Sequence, residues 1–150
     1  MTPEAKAREK VDTKLIKSGW VIQDMSQINP IASLGVAVRE YPTSTGPVDY
    51  VLFIDGSPVG IIEAKKDDLG ENITIAESQS EHYANSTLEY VNVGYRIRFA
   101  YEAIGVLTRF TDYDDKKYRC REVFSFFRPK TLKYLLEQKD TVRNKFIYFG

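Results

Sequence analysis

Two short apolar, β-branched runs with a turn between them constrain this chain more than any other feature. Residues 48–54 (VDYVLFI) and 59–64 (VGIIEA) have the composition of strands. Between them Asp55-Gly56-Ser57-Pro58 has turn chemistry, with a glycine able to take positive φ. A symmetric hairpin pairs Ile54 with Pro58, Phe53 with Val59 and Val51 with Ile61, and sets Asp49 opposite Glu63. Directly opposed residues on antiparallel strands have Cβ atoms ~4.5–5.5 Å apart on one face. Lys65 follows Glu63 by two residues, so the strand period places its ammonium on that face too. The expectation is two carboxylates and a lysine converging at the open end of a hairpin.

Such a grouping needs a physical reason. Adjacent Asp and Glu side chains raise each other's pKa unless a cation lies between them. Mg²⁺ suits the gap, because it takes oxygen ligands at ~2.0–2.1 Å, often from one or two carboxylates, and keeps several waters. Bound there, it lowers the pKa of a water and neutralises charge on a phosphoryl group. Lys65 can then orient the attacking water or stabilise developing negative charge. These are the parts needed to hydrolyse a phosphodiester. An Asp–Lys–Glu network on a half-exposed hairpin fits the same spacing, but the apolar flanks of IIEAK place the charges at the end of a buried strand.

A length of 150 residues suits one domain with a real core, and 43% apolar with 28% charged residues excludes a disordered chain. The single cysteine, Cys120, cannot form an intrachain disulfide, which points to a reducing, cytoplasmic setting. No apolar run approaches the ~18 residues of a membrane span, and no signal-peptide core precedes the first helix. Net charge is zero, yet residues 1–90 hold 8 Lys/Arg against 14 Asp/Glu while residues 91–150 hold 13 against 7. That asymmetry fits either a polyanion-facing surface or a dipolar surface of no consequence.

Thr2-Pro3-Glu4 reads as a helix start, and Ala7, Val11 and Leu15 recur at i, i+4, i+8 until a stop near Gly19. Glu4 shares a stripe with Arg8, Val11 and Leu15; it is either a charge favoured by the helix dipole or a contributor to a site. Residues 36–41 (VAVREY) read as a strand, 67–70 as a loop and 73–84 as a helix with Gln79 and Tyr83 on one face. His82, the lone histidine, reads as a surface residue. Strands are expected over 95–101 and 106–111, joined by 102–105 (EAIG), with a buried strand at 123–127 (VFSFF) and a helix from Pro129 carrying Leu132, Leu135 and Leu136. The order implies a single mixed α/β domain. The chain has no phosphate loop, no G-x-G-x-x-G, no zinc-ligand set and no Ser or Cys nucleophile motif.

An acid near a strand start followed by E-x-K on the next strand resembles the signature of PD-(D/E)XK nucleases. More specifically, 2–20 (TPEAKAREKVDTKLIKSGW), 38–66 (VREYPTSTGPVDYVLFIDGSPVGIIEAKK) and 79–84 (QSEHYA) resemble the amino-terminal nuclease domain of the type I restriction enzyme R subunit, the motor subunit. Residues 123–132 (VFSFFRPKTL) are similar to the segment that follows it. The resemblance implies a restriction-endonuclease-like mixed sheet flanked by helices and Mg²⁺-dependent cleavage of double-stranded DNA. It implies Asp49, Glu63 and the Ala64 backbone carbonyl as metal ligands, with Glu4 a further candidate. Lys65 is then the catalytic lysine, and Gln79 and Tyr83, matching a Q-x-x-x-Y element, contact DNA or support the site. In that family the domain precedes an ATP-driven translocase and works beside modification and specificity subunits, so either an excised domain of a longer polypeptide or a stand-alone relative is expected. The zero net charge supplies little DNA affinity, so the isolated domain should be weak or inactive. Val48 rather than Pro precedes Asp49, and EAIG stands where many relatives carry a T-N-G-like turn. Two other readings share the residues: a catalytically silent nuclease-like docking or DNA-binding module, and an autonomous resolvase-like nuclease.

Overall fold

Thr2 opens helix α1 (Pro3–Lys17): its hydroxyl accepts from the Ala5 N–H at 3.1 Å, and Pro3 fills a first-turn position where its missing N–H is harmless. The helix ends at Ser18, and Gly19 takes a φ of 90°, the left-handed residue that such a stop favours. Val11 and Leu15 are buried, as the helical period predicts, and each contributes about 1.5–3 kcal/mol by leaving water. The computed structural model describes residues 2–43, 46–65, 97–104, 106–114 and 120–138.

Strands β1 (Val21–Asp24), β2 (Gly35–Tyr41), β3 (Val48–Ile54), β4 (Ser57–Lys65), β5 (Phe99–Ile104), β6 (Leu107–Asp112) and β7 (Arg121–Val123) form one sheet in sequence order. β1 with β2 and β4 with β5 are parallel; the other neighbours are antiparallel. A 3₁₀ turn (Met25–Gln27) follows β1, and helix α2 occupies 129–138. Both helices pack on one face, where Val11, Leu15 and Leu132 meet Tyr50, Leu52, Phe99, Tyr101 and Phe110. Val36, Val38, Val51, Phe53, Ile61 and Ala100 form a second cluster on the opposite face, so the central strands are apolar on both sides. The segment leading into α2 is pinned where Trp20 Nε1 donates to the Phe127 carbonyl at 2.9 Å and the Phe127 N–H donates to Tyr101 Oη at 3.1 Å.

The hairpin forms, with one correction at its tip. Asp55 and Gly56 alone make the turn, with φ of 50° and 81°, the positive pair whose twist suits a two-residue connection. Ile54 therefore pairs with Ser57 and Phe53 with Pro58, not with Pro58 and Val59. A bulge then absorbs one residue, and Leu52↔Gly60, Val51↔Ile61 and Tyr50↔Ile62 restore the expected register toward the site.

Elsewhere the strand over 95–101 starts only at Phe99, with 95 and 96 outside the described residues, and Glu102 to Ile104 belong to β5 instead of a turn. Those three residues are buried: Ala103 joins Tyr101 in the helix-side core, and alternation turns Glu102 and Ile104 to the opposite face. Residues 124–127 are not strand: Phe124 is fully exposed, while Phe126 is buried and rests edge-on against Tyr101. Their aromatics fill the helix-side core from an irregular crossing, which composition alone cannot tell from a strand.

Candidate active site

The β3–β4 ladder runs as far as Tyr50↔Ile62, and beyond that pair side chains replace backbone pairing. Asp49 Oδ2 accepts from the Ala64 N–H at 2.8 Å, and the Asp49 N–H reaches Glu63 Oε1 at 3.4 Å. Lys65 Nζ lies 3.5 Å from Glu63 Oε2. Asp49, Glu63, Ala64 and Lys65 are thus brought together at the end of the hairpin away from its turn. Glu63 is buried, Asp49 and Lys65 are half-buried, and Ala64 packs against the helix-side core.

A slip in alternation shapes this end of the sheet. Val48 packs with Val51, and Tyr41 packs beside the same cluster as Val38, so both strands shift by one residue around Glu40 and Asp49. Glu40 carries the change with φ of 49°, a left-handed conformation that costs a non-glycine residue roughly 1–2 kcal/mol. Arg39↔Tyr50 and Tyr41↔Val48 bracket Glu40 and Asp49 in the register. Helix α1 meets them there. Arg8 Nη1 bonds Glu40 Oε1, and Arg8 Nε lies 3.5 Å from Asp49 Oδ1.

One turn further along α1, Asp12 fixes the helix to the sheet. The Tyr50 hydroxyl bonds Asp12 Oδ1 and lies 3.2 Å from the Arg8 carbonyl, and Arg39 Nη2 donates to Asp12 Oδ2 at 2.8 Å. Burial, together with the Asp12 bond, pushes the Tyr50 phenol far above its ordinary value, so it stays a neutral donor.

Burial pushes the Glu63 carboxyl up to about 7, and the Asp49 charge pushes in the same direction; Lys65 only partly offsets them. Glu40, Asp49 and Glu63 hold Arg8 and Lys65 among them, but the buried member is under-compensated. Glu102 on β5 is in register with Glu63 and with Arg109 on β6, placing a second buried acid beside the first. Among the described residues no group of three or more His, Cys, Asp or Glu gathers to hold a metal. A donor set of two carboxylates with a backbone carbonyl is all oxygen and small, which suits Mg²⁺ and not a soft ion.

Glu4 lies in α1, but its side chain is outside the described residues, as are the loop 67–70, the helix 73–84, Gln79, His82 and Tyr83. Arg8, Glu40 and Glu102 were not anticipated as neighbours of the site. Arg8 carried a signal, since it sits on the stripe of Val11 and Leu15 where an arginine needs a partner. Glu40 carried none, because its role depends on a backbone slip between strands.

No curated protein sequence matches the chain. A solved structure from Vibrio vulnificus YJ016, described as a fragment of an HsdR subunit of a type I restriction enzyme, superposes with a TM-score of 0.57 at 20% identity. The match covers 89% of this chain but 25% of that one, so the chain spans a quarter of its relative's length. That likeness shows the fold, a restriction-endonuclease-like mixed sheet with helices. The sequence profile described as the type I restriction enzyme EcoKI endonuclease subunit second domain matches residues 22–126, more than half of the chain. By that match the protein belongs to the family of type I restriction enzyme endonuclease-subunit domains.

Proposed function

We propose that this domain is a Mg²⁺-dependent endonuclease that hydrolyses phosphodiester bonds of double-stranded DNA, as the cleavage module of a type I restriction complex. The observation that carries the reading is the convergence of Asp49, Glu63 and Lys65 where the hairpin ladder ends. Asp49 and Glu63, with the Ala64 carbonyl, would hold the ion, and Glu4 is a further candidate. When bound, Mg²⁺ supplies Lewis acidity toward a phosphoryl oxygen. The chain's own residues do the remaining work. The Ala64 N–H and the Asp49 N–H lock the two carboxylates in orientation, so little reorganisation is left for binding. Lys65 presents a half-buried positive charge where negative charge accumulates on the phosphorane-like transition state, and it is tethered through Glu63. Gln79 and Tyr83 are assigned to DNA contact or site support. Modification and specificity subunits would supply recognition and translocation would supply the trigger, with ATP used by motor domains and not by this fold. A cytoplasmic setting follows from that role.

The test is cleavage of circular double-stranded DNA by the complete restriction complex carrying Asp49→Ala, Glu63→Ala or Lys65→Ala. Each is expected to lower cleavage by at least about 10²-fold, the scale of losing a transition-state charge partner, while ATP hydrolysis continues. A folded variant that cuts like the parent removes that residue from the mechanism. Parent-like cutting by all three favours the silent docking module. Robust ATP-independent cutting of branched DNA by the 150-residue chain alone favours the resolvase-like reading.

A further inference from the structure

We propose that Arg8 is a tethered cation that competes with the divalent ion for Asp49, and that Glu40 holds the guanidinium when the ion takes its place. The inference rests on the metal-site reading above and assigns a role to residues outside it. The two oxygens of Asp49 are used differently. Oδ2 is held by the Ala64 N–H at 2.8 Å, whereas Oδ1 faces Arg8 Nε at 3.5 Å. Arg8 therefore stands at the Asp49 oxygen that a backbone donor leaves open to a cation. Its guanidinium also reaches Glu40 Oε1 through a different nitrogen, so one partner can be released while the other is kept.

Exposure favours such an exchange. The Arg8 and Glu40 side chains are 42% and 58% exposed, so moving between partners trades weak, solvated contacts. Asp49 is only 18% exposed, and its backbone-held carboxylate stays in place. Glu40 reaches the guanidinium from a left-handed backbone position at the slip in β2. Because arginine is always protonated, its own charge in the competition does not vary with pH.

Calorimetric titration of the full-length protein with Mn²⁺, without DNA, tests the proposal apart from catalysis. Arg8→Gln is expected to raise Mn²⁺ affinity about twofold to fivefold, the range of a partly exposed ion pair, and Arg8→Lys to leave it near the parent value. Glu40→Gln is expected to lower affinity in the parent but not in the Arg8→Gln background, because its effect passes through Arg8. Unchanged or weaker binding by Arg8→Gln, with binding still lost in Asp49→Ala, overturns the competition and leaves the nuclease reading intact. An equal loss from Glu40→Gln in both backgrounds overturns the holding role of Glu40. Parent-like Mn²⁺ binding by Asp49→Ala overturns the metal site and the competition with it.

Discussion

Glu63 is the residue on which stability and chemistry meet. Its carboxyl titrates near 4.5 in an unfolded chain and at about 7 in the fold, because burial and then Asp49 disfavour its charge. Between those values the folded state keeps a proton that the unfolded state gives up, so stability falls as pH rises. The contribution is fully present below about 4.5 and is lost as pH passes about 7, a change on the order of 3 kcal/mol. Glu63→Gln carries no such proton. In chelator it should be more stable than the parent at pH 8, by about 1–3 kcal/mol, and the difference should vanish near pH 5. Urea denaturation of both proteins at the two pH values checks this; equal stability at pH 8 contradicts the under-compensated acid. Such a residue is half legible in sequence. IIEAK announces a charge at the end of a buried strand, but Glu102 beside it on β5, and Arg8 and Glu40 around Asp49, come from segments that no local spacing connects to it.

At the scale of elements, what local chemistry determines was readable and what tertiary contact determines was not. Helix α1 was legible because Thr2, Pro3, the Val11–Leu15 stripe and Gly19 each act within a few residues. The hairpin register near the site was legible because alternation fixes it, and Val51↔Ile61 lies where the pattern puts it. The tip was misread because a bulge shifts register without changing composition. β1 escaped notice: four residues, VIQD, with both ends exposed, give no alternation to detect. Its place depends on parallel pairing with β2, a contact made at a distance in sequence. Gly35 shows how tightly these elements meet. A Cβ there would lie 2.5 Å from Pro129 Cβ and 3.0 Å from Trp20 Cε3, so β2 enters the sheet against the start of α2 with no room for a methyl group. Gly35→Ala should destabilise the fold by about 1–3 kcal/mol or more through overpacking. A thermal midpoint equal to the parent's contradicts this packing.

For the whole molecule, charge sets the limits. The chain is neutral, so it supplies little of the counterion-release free energy that dominates binding to duplex DNA. Binding by the 150-residue chain should accordingly be weak, with a log K against log salt slope shallower than about −4. Fluorescence anisotropy on a labelled duplex measures it, and a slope near −8 contradicts the expectation that other parts of a complex provide most phosphate contacts. Among the described residues no helix is long and apolar enough to cross a membrane. The account depends on one place in the molecule, where β3 and β4 part and backbone donors hold the carboxylates of Asp49 and Glu63. Anomalous scattering from crystals soaked in Mn²⁺ tests it most directly. The predicted result is a single strong peak at ~2.1 Å from carboxylate oxygens of both Asp49 and Glu63. A peak that bypasses Asp49, or none at saturating Mn²⁺, contradicts it.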